Sequence, residues 1–268
     1  MGHWSRRSLN SPTLHHSITP TLHLPPFQGR TPTPHGCDKI PPTALEGVST
    51  MTDQLLAPTF LFRFSVPLLY RKELWSAKGA ALGEEYRLPS FGELEDRPMY
   101  ADIRGAWSEQ GLAFSVRVEG KKQAPWCRSS RLEDSDGLHL WIDTRDTHNI
   151  HRASRFCHRF VLLPTGGGRR LTEPVAEQML INRARENPKP VPVGLVKVRS
   201  EKRVHGYILE GYIPAAALTG YDPASHQRLG FTYAVMDREL GWQTFTVASE
   251  FPFEEDPSLW GSLELVSE

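Results

Sequence analysis

The stretch EDSDGLHLWIDTRDTHNIHRASRFCHRF, residues 133–160, decides the fold. Apolar and polar or aromatic side chains alternate along its first half, and an alternation of period two predicts a β-strand. The aliphatic face consists of Leu138, Leu140 and Ile142, and the opposite face consists of His139, Trp141 and Asp143. An imidazole, an indole and a carboxylate together are unusual for a face that only meets water. We therefore expect a ligand site on this second face.

The second half of the stretch, residues 144–158, predicts a polar connection that leads into another apolar strand from Phe160. It carries His148, His151, His158 and Cys157 within fifteen residues. These residue types bind zinc and other borderline metals. The spacing matches no standard zinc motif, so an ordinary hydrogen-bonded loop is the alternative.

The rest of the chain reads as short strands separated by turn residues. Alternating or apolar runs occur at 60–66, 99–107, 112–118, 196–198, 206–214, 229–236, 242–247 and 262–266, and no long amphipathic helix is evident. Residues 215–218 predict one helical turn, and 175–185 fits either a helix or an outer strand. This pattern predicts an all-β fold, an antiparallel two-sheet β-sandwich with short helical turns.

Composition narrows the functional classes. Lysines and arginines equal acids at 31 each, so no net field attracts nucleic acid. The apolar residues 55–70 are interrupted by Arg63 and two prolines, and they are too short for a membrane span. Three cysteines make a poor disulfide framework for a chain of this length, and a single Cys127–Cys157 disulfide is the alternative to free thiols. A reducing compartment, and hence a cytoplasmic localisation, is favoured.

The first fifty residues differ from the remainder. Prolines and histidines are frequent, and Asp38 and Glu46 are the only acids. This composition predicts a disordered tail, residues 1–50, before a folded unit at 51–268. Because ordinary globular composition begins at Met51, the alternative to a disordered tail is that the protein starts at Met51 and that residues 1–50 are mis-assigned upstream sequence. The segment lacks the continuous apolar region of a secretory signal.

Five segments carry a resemblance to a known family. They are 101–116, 136–143, 206–214, 229–237 and 256–265, in that order. Together they resemble family 9 carbohydrate-binding modules, a family within the wider group of DOMON-like sandwiches. The resemblance implies a β-sandwich that grips a terminal sugar between aromatic side chains, with structural calcium in some members.

The resemblance also implies site residues. Trp126 matches the first aromatic surface, and Phe251 or Phe253 matches the second, with Phe253 preferred. His139 stands where the family can place a glutamate that bonds sugar hydroxyls, and Arg159 matches a sugar-contacting arginine. From the residues alone, Trp126, Trp141 and Trp242 are indoles that could stack on a sugar, or tryptophans buried in the sandwich.

Other chemistries have weaker support. Asp134, Asp136, Asp143 and Asp146 could supply calcium ligands or cap turns. Asp143 and Asp146 could act as the acid pair of a glycosidase, and Cys127 or Cys157 with a histidine could form a nucleophile pair. Neither set lies in a recognisable catalytic sequence motif.

The sequence therefore predicts a non-catalytic carbohydrate-binding domain. The alternatives are a DOMON-like domain that binds a metal (calcium or zinc) or a cofactor through the histidine-rich segment, and a structural or interaction domain with no small ligand. We predict Trp126, His139, Trp141, Arg159 and Phe253 as carbohydrate-binding residues, and His148, His151 and His158 as metal ligands.

Overall fold

The computed structural model describes residues 58–97 and 99–267. One short helix, α1 (Pro58–Leu61), precedes the strands. The strands are β1 (Ser65–Tyr70), β2 (Arg87–Leu88), β3 (Ala101–Ser108), β4 (Gly111–Glu119), β5 (Gly137–Asp143), β6 (Cys157–Gly167), β7 (Glu173–Met179), β8 (Lys197–Arg203), β9 (Gly206–Pro214), β10 (Arg228–Asp237), β11 (Gly241–Thr244) and β12 (Gly261–Val266). Single 3-10 turns lie at Glu84–Tyr86, Phe91–Glu95, Leu132–Asp134, Ala215–Ala217 and Pro257–Leu259.

The strands form one hydrogen-bonded path in the order β7-β6-β5-β10-β12-β1-β3-β4-β9-β8, with β11 on β10 and β2 on β3. The all-β class is confirmed. The expectation of two separate antiparallel sheets is wrong, because β1 pairs in parallel with both β12 and β3 and so joins the two halves. The sequence could not show this, since Ser65 and its partner Ser262 lie at opposite ends of the domain.

The two halves of the path pack face to face around one apolar core. Leu138, Leu140 and Ile142 of β5 contribute to it from one half, and strands β4 and β9 contribute from the other. The Phe114 and Phe231 rings stack across the core with centroids 5.5 Å apart. The aliphatic face of β5 therefore points inward as its alternation predicts, and its second face points outward.

The beginning of the domain differs from expectation. The alternation of Phe60, Phe62, Phe64 and Val66 predicts a strand, yet α1 ends at Leu61 and β1 begins at Ser65. Phe60 and Phe62 are exposed, so their alternation corresponds to no buried face. Residues 175–185, which fit either a helix or a strand, supply most of edge strand β7.

The hairpins β3–β4 and β8–β9 and the turn at Ala215–Ala217 are confirmed. No helix among the described residues is long and apolar enough to cross a membrane. The predictions for residues 1–50 lie outside the described residues and stay predictions.

Candidate functional site

The outward face of β5 collects the first group of candidate residues. Trp141 lies directly opposite Arg159 of β6, so their side chains share a face of the antiparallel pair. The Arg159 guanidinium lies 4.8 Å from the Trp141 ring centroid, and the His139 ring is 5.9 Å from the same indole. The structure thus brings together His139, Trp141 and Arg159, as the sequence predicts for a common site.

A loop covers this face. Phe253 packs edge-on against Trp141, with ring centroids 5.4 Å apart, and Trp260 Nε1 donates a hydrogen bond to the Phe253 carbonyl at 2.7 Å. Trp141 is 0% exposed and Phe253 is 1% exposed. Neither ring presents an open surface to a ligand, so stacking of a sugar on Trp141 or Phe253 does not fit this arrangement. The physical reason is that the loop seals the apolar part of the face.

Arg159 links the covered face to the surface. It forms ion pairs with Glu254 at 3.0 Å and Glu133 at 3.5 Å, and its Nη2 lies 3.3 Å from His139 Nδ1. Burial and the nearby guanidinium lower the pKa of His139 to about 3. The imidazole is therefore neutral at neutral pH, and Nδ1 accepts from Arg159. Within the described chain, His139 Nε2, Trp141 Nε1 and Arg159 Nε have no hydrogen-bond partner.

A cleft of about 560 Å³ opens above Arg159. Its apolar side is formed by Trp242, which is 40% exposed, together with Met236 and Phe251. Its polar side carries Arg159, Asn182 and the carboxylates of Glu133, Asp134, Glu250, Glu254 and Glu255. A smaller cavity of about 240 Å³ shares Glu133, Asp134, Met236 and Trp242 and extends toward Arg238. We call this combined space the acidic cleft.

Trp126 lies beside the acidic cleft without lining it. Arg238 is 3.5 Å from the centroid of its ring, and Arg128 and Arg131 are within 6 Å. The indole is half-buried, and its backbone N–H donates to Asp136 at 3.0 Å. Trp126 therefore packs against Arg238, the arginine that borders the smaller cavity. Because arginine side chains already contact its ring, little of the indole is free to stack on a sugar.

The three histidines predicted to bind metal do not converge. His148 Nε2 lies 2.8 Å from Asp146, and His151 Nδ1 lies 3.1 Å from Asp256. His158 is buried and stacks on Phe160, on the opposite face of the sheet from Arg159. No group of three metal-binding side chains occurs in the part of the chain that the structure describes. The metal prediction is wrong for these residues, because strand alternation sends His158 into the core.

The aspartates predicted to bind calcium are also separated. Asp136 accepts from the buried Lys121 ammonium at 3.3 Å, and Asp237 contacts the same ammonium. Asp143, at the other end of β5, accepts from the backbone of Arg145 and Thr147. Lys121 therefore supplies the positive charge beside Asp136 and Asp237, and the Asp143 carboxylate caps the turn that follows β5. These residues do not fit a calcium site.

The two cysteines in the described part of the chain offer neither a disulfide nor a nucleophile. Cys127 and Cys157 are free and buried, in separate apolar clusters. Burial and the nearby Asp143 raise the pKa of the Cys157 thiol to about 12, and burial raises that of Cys127 as well. Both are therefore protonated at neutral pH, whereas a reactive cysteine needs its thiolate.

Sequence reasoning missed several residues that line the acidic cleft. Glu254, Asn182 and Met236 come from a loop, a turn and β10. No local pattern marks them, since only the fold brings these three segments together. Trp242 and Phe251 were recognisable as aromatic residues, but only exposure distinguishes them from the buried Trp141 and Phe253.

Comparison with solved structures identifies the class of fold. A family 9 carbohydrate-binding module from Caldicellulosiruptor kristjanssonii, solved with cellotriose, superposes with a TM-score of 0.53 at 10% sequence identity, covering 76% of this chain and 95% of that chain. Its complex with glucose gives the same TM-score and identity, covering 76% and 97%. No family model matches the sequence, and neither does any curated protein. The predicted resemblance to family 9 modules is thus confirmed for the fold.

Proposed function

We propose that this protein is a non-catalytic carbohydrate-binding domain that holds a neutral sugar in the acidic cleft. The observation that carries the proposal is the exposed Trp242 indole, which shares one cleft with the Arg159–Glu254 ion pair. A pyranose has an apolar C–H face and polar hydroxyl edges. An indole beside charged hydrogen-bonding groups is complementary to both.

The polar side of the cleft can orient a sugar. Carboxylates of Glu133 and Glu254 accept hydrogen bonds from hydroxyls, and the Asn182 amide can both donate and accept. Arg159 is already engaged with both carboxylates, so the three groups are held in place before a ligand arrives. Groups positioned in advance lose less conformational entropy when the ligand binds.

The charge of the acidic cleft selects against anions. Five carboxylates and Arg159 line it, while its smaller extension adds Asp136, Asp237 and Arg238. An anionic sugar would meet like charges, whereas a neutral sugar meets hydrogen-bond acceptors. The solved module of similar fold was determined in complex with cellotriose and with glucose, so neutral gluco-oligosaccharides are the first ligands to test.

The residues that the sequence offers for catalysis are engaged elsewhere in the described part of the chain. Both described cysteines are protonated and buried, and Asp143 and Asp146 are engaged in turn and side-chain hydrogen bonds. A domain with no small ligand is the competing function, and a binding experiment separates the two. The cytoplasmic localisation stays a prediction; the free thiols are compatible with it.

The test is titration calorimetry of the full chain with glucose, cellobiose, cellotriose and a panel of other neutral sugars. We expect Trp242→Ala to weaken binding by about 1–3 kcal/mol, by analogy with the loss of an aromatic stacking partner. Trp75→Ala is the control, because Trp75 is a half-buried indole that stacks on Tyr212 outside the cleft. Absence of binding to every sugar, or equal loss in both variants, would contradict the proposal.

A further inference from the structure

A second cavity, of about 610 Å³, lies at one end of the sandwich. Residues 121–125 after β4, the connection between β6 and β7, and the β8–β9 hairpin surround it. None of the residues that line the acidic cleft lines this cavity. This cavity is therefore separate from the acidic cleft, and the proposed function does not explain it.

The second cavity has the opposite charge. Its charged lining residues are Lys121, Lys122, Arg128, Lys202 and Arg203, and no carboxylate of the described chain lines it. Lys121 is neutralised by Asp136 and Asp237. Arg203 meets Glu201 at 3.1 Å, and Arg128 donates to the Cys127 carbonyl at 2.8 Å. We call this space the basic cavity.

Two of these cations have no partner in the described part of the chain. Neither Lys122 nor Lys202 forms a side-chain ion pair there, and both are exposed. They come from different segments, one after β4 and the other on β8, yet they line the same cavity. An anion between them would meet two ammonium groups at once.

A buried tyrosine forms part of the wall of the basic cavity. Tyr207 is 1% exposed, and its side chain belongs to the apolar core. Burial and the nearby Asp237 raise the pKa of Tyr207 well above its ordinary value, so the phenol is neutral. Because the hydroxyl is buried, Tyr207 closes the inner side of the cavity, and the two lysines are the groups that can reach an anion.

The remaining lining suits an organic molecule better than a bare ion. Hydroxyls of Thr165, Thr172 and Ser200 alternate with apolar side chains such as Leu171 and Val204. The volume falls within the range of about 300–1,000 Å³ that is typical of small-molecule sites. An inorganic anion would occupy a small part of this space and would leave the apolar wall without a contact.

We propose that the basic cavity binds a small organic molecule that carries a phosphate or sulfate ester. Lys122 and Lys202 bind the ester oxygens, and the apolar wall contacts the body of the molecule. Phosphate and sulfate share this chemistry, because both present several charged acceptor oxygens. The proposal is independent of sugar binding in the acidic cleft.

The test is calorimetry of the full chain with glucose 6-phosphate, glucose 6-sulfate and inorganic phosphate. We expect one or both esters to bind, and Lys122→Gln with Lys202→Gln to weaken that binding by at least about tenfold, because two charge-assisted contacts are lost. The control is Lys72→Gln with Lys78→Gln, which removes the same charge at two exposed sites outside the cavity. This control should bind like the wild type.

Other outcomes separate the two clefts. If an ester binds through its sugar in the acidic cleft, Trp242→Ala weakens it and the lysine variant does not, which overturns the proposal. Equal affinity for inorganic phosphate and for the esters would show that the organic part of the ester makes no contact, and it would overturn the proposal of an organic ligand. Failure of both esters to bind overturns the site altogether.

Discussion

Lys121 is a single buried residue on which the stability of one end of the sandwich depends. Its ammonium lies between Asp136 and Asp237, and all three side chains are at most 2% exposed. Lys121→Met leaves two buried carboxylates without their counter-charge, and we expect a loss of about 3–5 kcal/mol. Urea unfolding measures it. Lys122→Met is the control, because this exposed neighbour should change stability by no more than about 0.5 kcal/mol.

His158 is a second buried residue with a measurable consequence, in the pH dependence of stability. Burial lowers its pKa to about 4, whereas the unfolded value is about 6.5. The stability it contributes is complete above about pH 6.5 and is lost as the pH falls toward 4. At pH 5 the loss is about 2 kcal/mol.

We therefore expect His158→Leu to show a smaller drop in Tm between about pH 7.5 and about pH 5 than the wild type. His205→Leu replaces an exposed histidine and should leave the drop unchanged. Equal drops in the wild type and His158→Leu would mean that burial does not lower the pKa of His158 below its unfolded value.

Strands β6 and β9 show how closely the two halves of the fold approach each other. A Cβ atom added at Gly211 of β9 would lie 2.5 Å from Leu162 Cδ1 of β6. Gly211→Ala should therefore destabilise by about 1–3 kcal/mol through overpacking. Combining it with Leu162→Ala should cost less than the sum of the two single changes, because the removed side chain makes room. Chemical unfolding of the wild type, the two single variants and the double variant measures the free energies of unfolding. Strict additivity of the two changes would show that the residue at 211 and Leu162 are not in steric conflict.

At the scale of the folded unit, the acidic cleft and the basic cavity have opposite charge, and salt distinguishes them. Raising NaCl from about 0.05 M to about 0.5 M shortens the screening length severalfold. Ester binding in the basic cavity should weaken by about tenfold or more, while neutral sugar binding in the acidic cleft should change less than about twofold. Calorimetry at the two salt concentrations measures both. Equal salt dependence of the two ligands would contradict the assignment of each ligand to its cleft.

The sequence by itself determined most of the strands and the two faces of β5. The alternation in β5 predicted correctly that Leu138, Leu140 and Ile142 enter the core and that His139 and Trp141 point away from it. Five ordered segments were enough to indicate the fold of family 9 carbohydrate-binding modules. These features are local, because side-chain alternation depends only on neighbouring residues along the strand.

The tertiary structure alone decided which outward side chains reach a ligand. The sequence could not show that the Phe253 loop would bury Trp141 while leaving Trp242 exposed, or that His158 would face the core. Nor could it place Lys122 and Lys202, eighty residues apart, on one cavity with Tyr207. Exposure and proximity between distant segments depend on how strands pair and how loops fold back across them, and no short-range pattern carries that information.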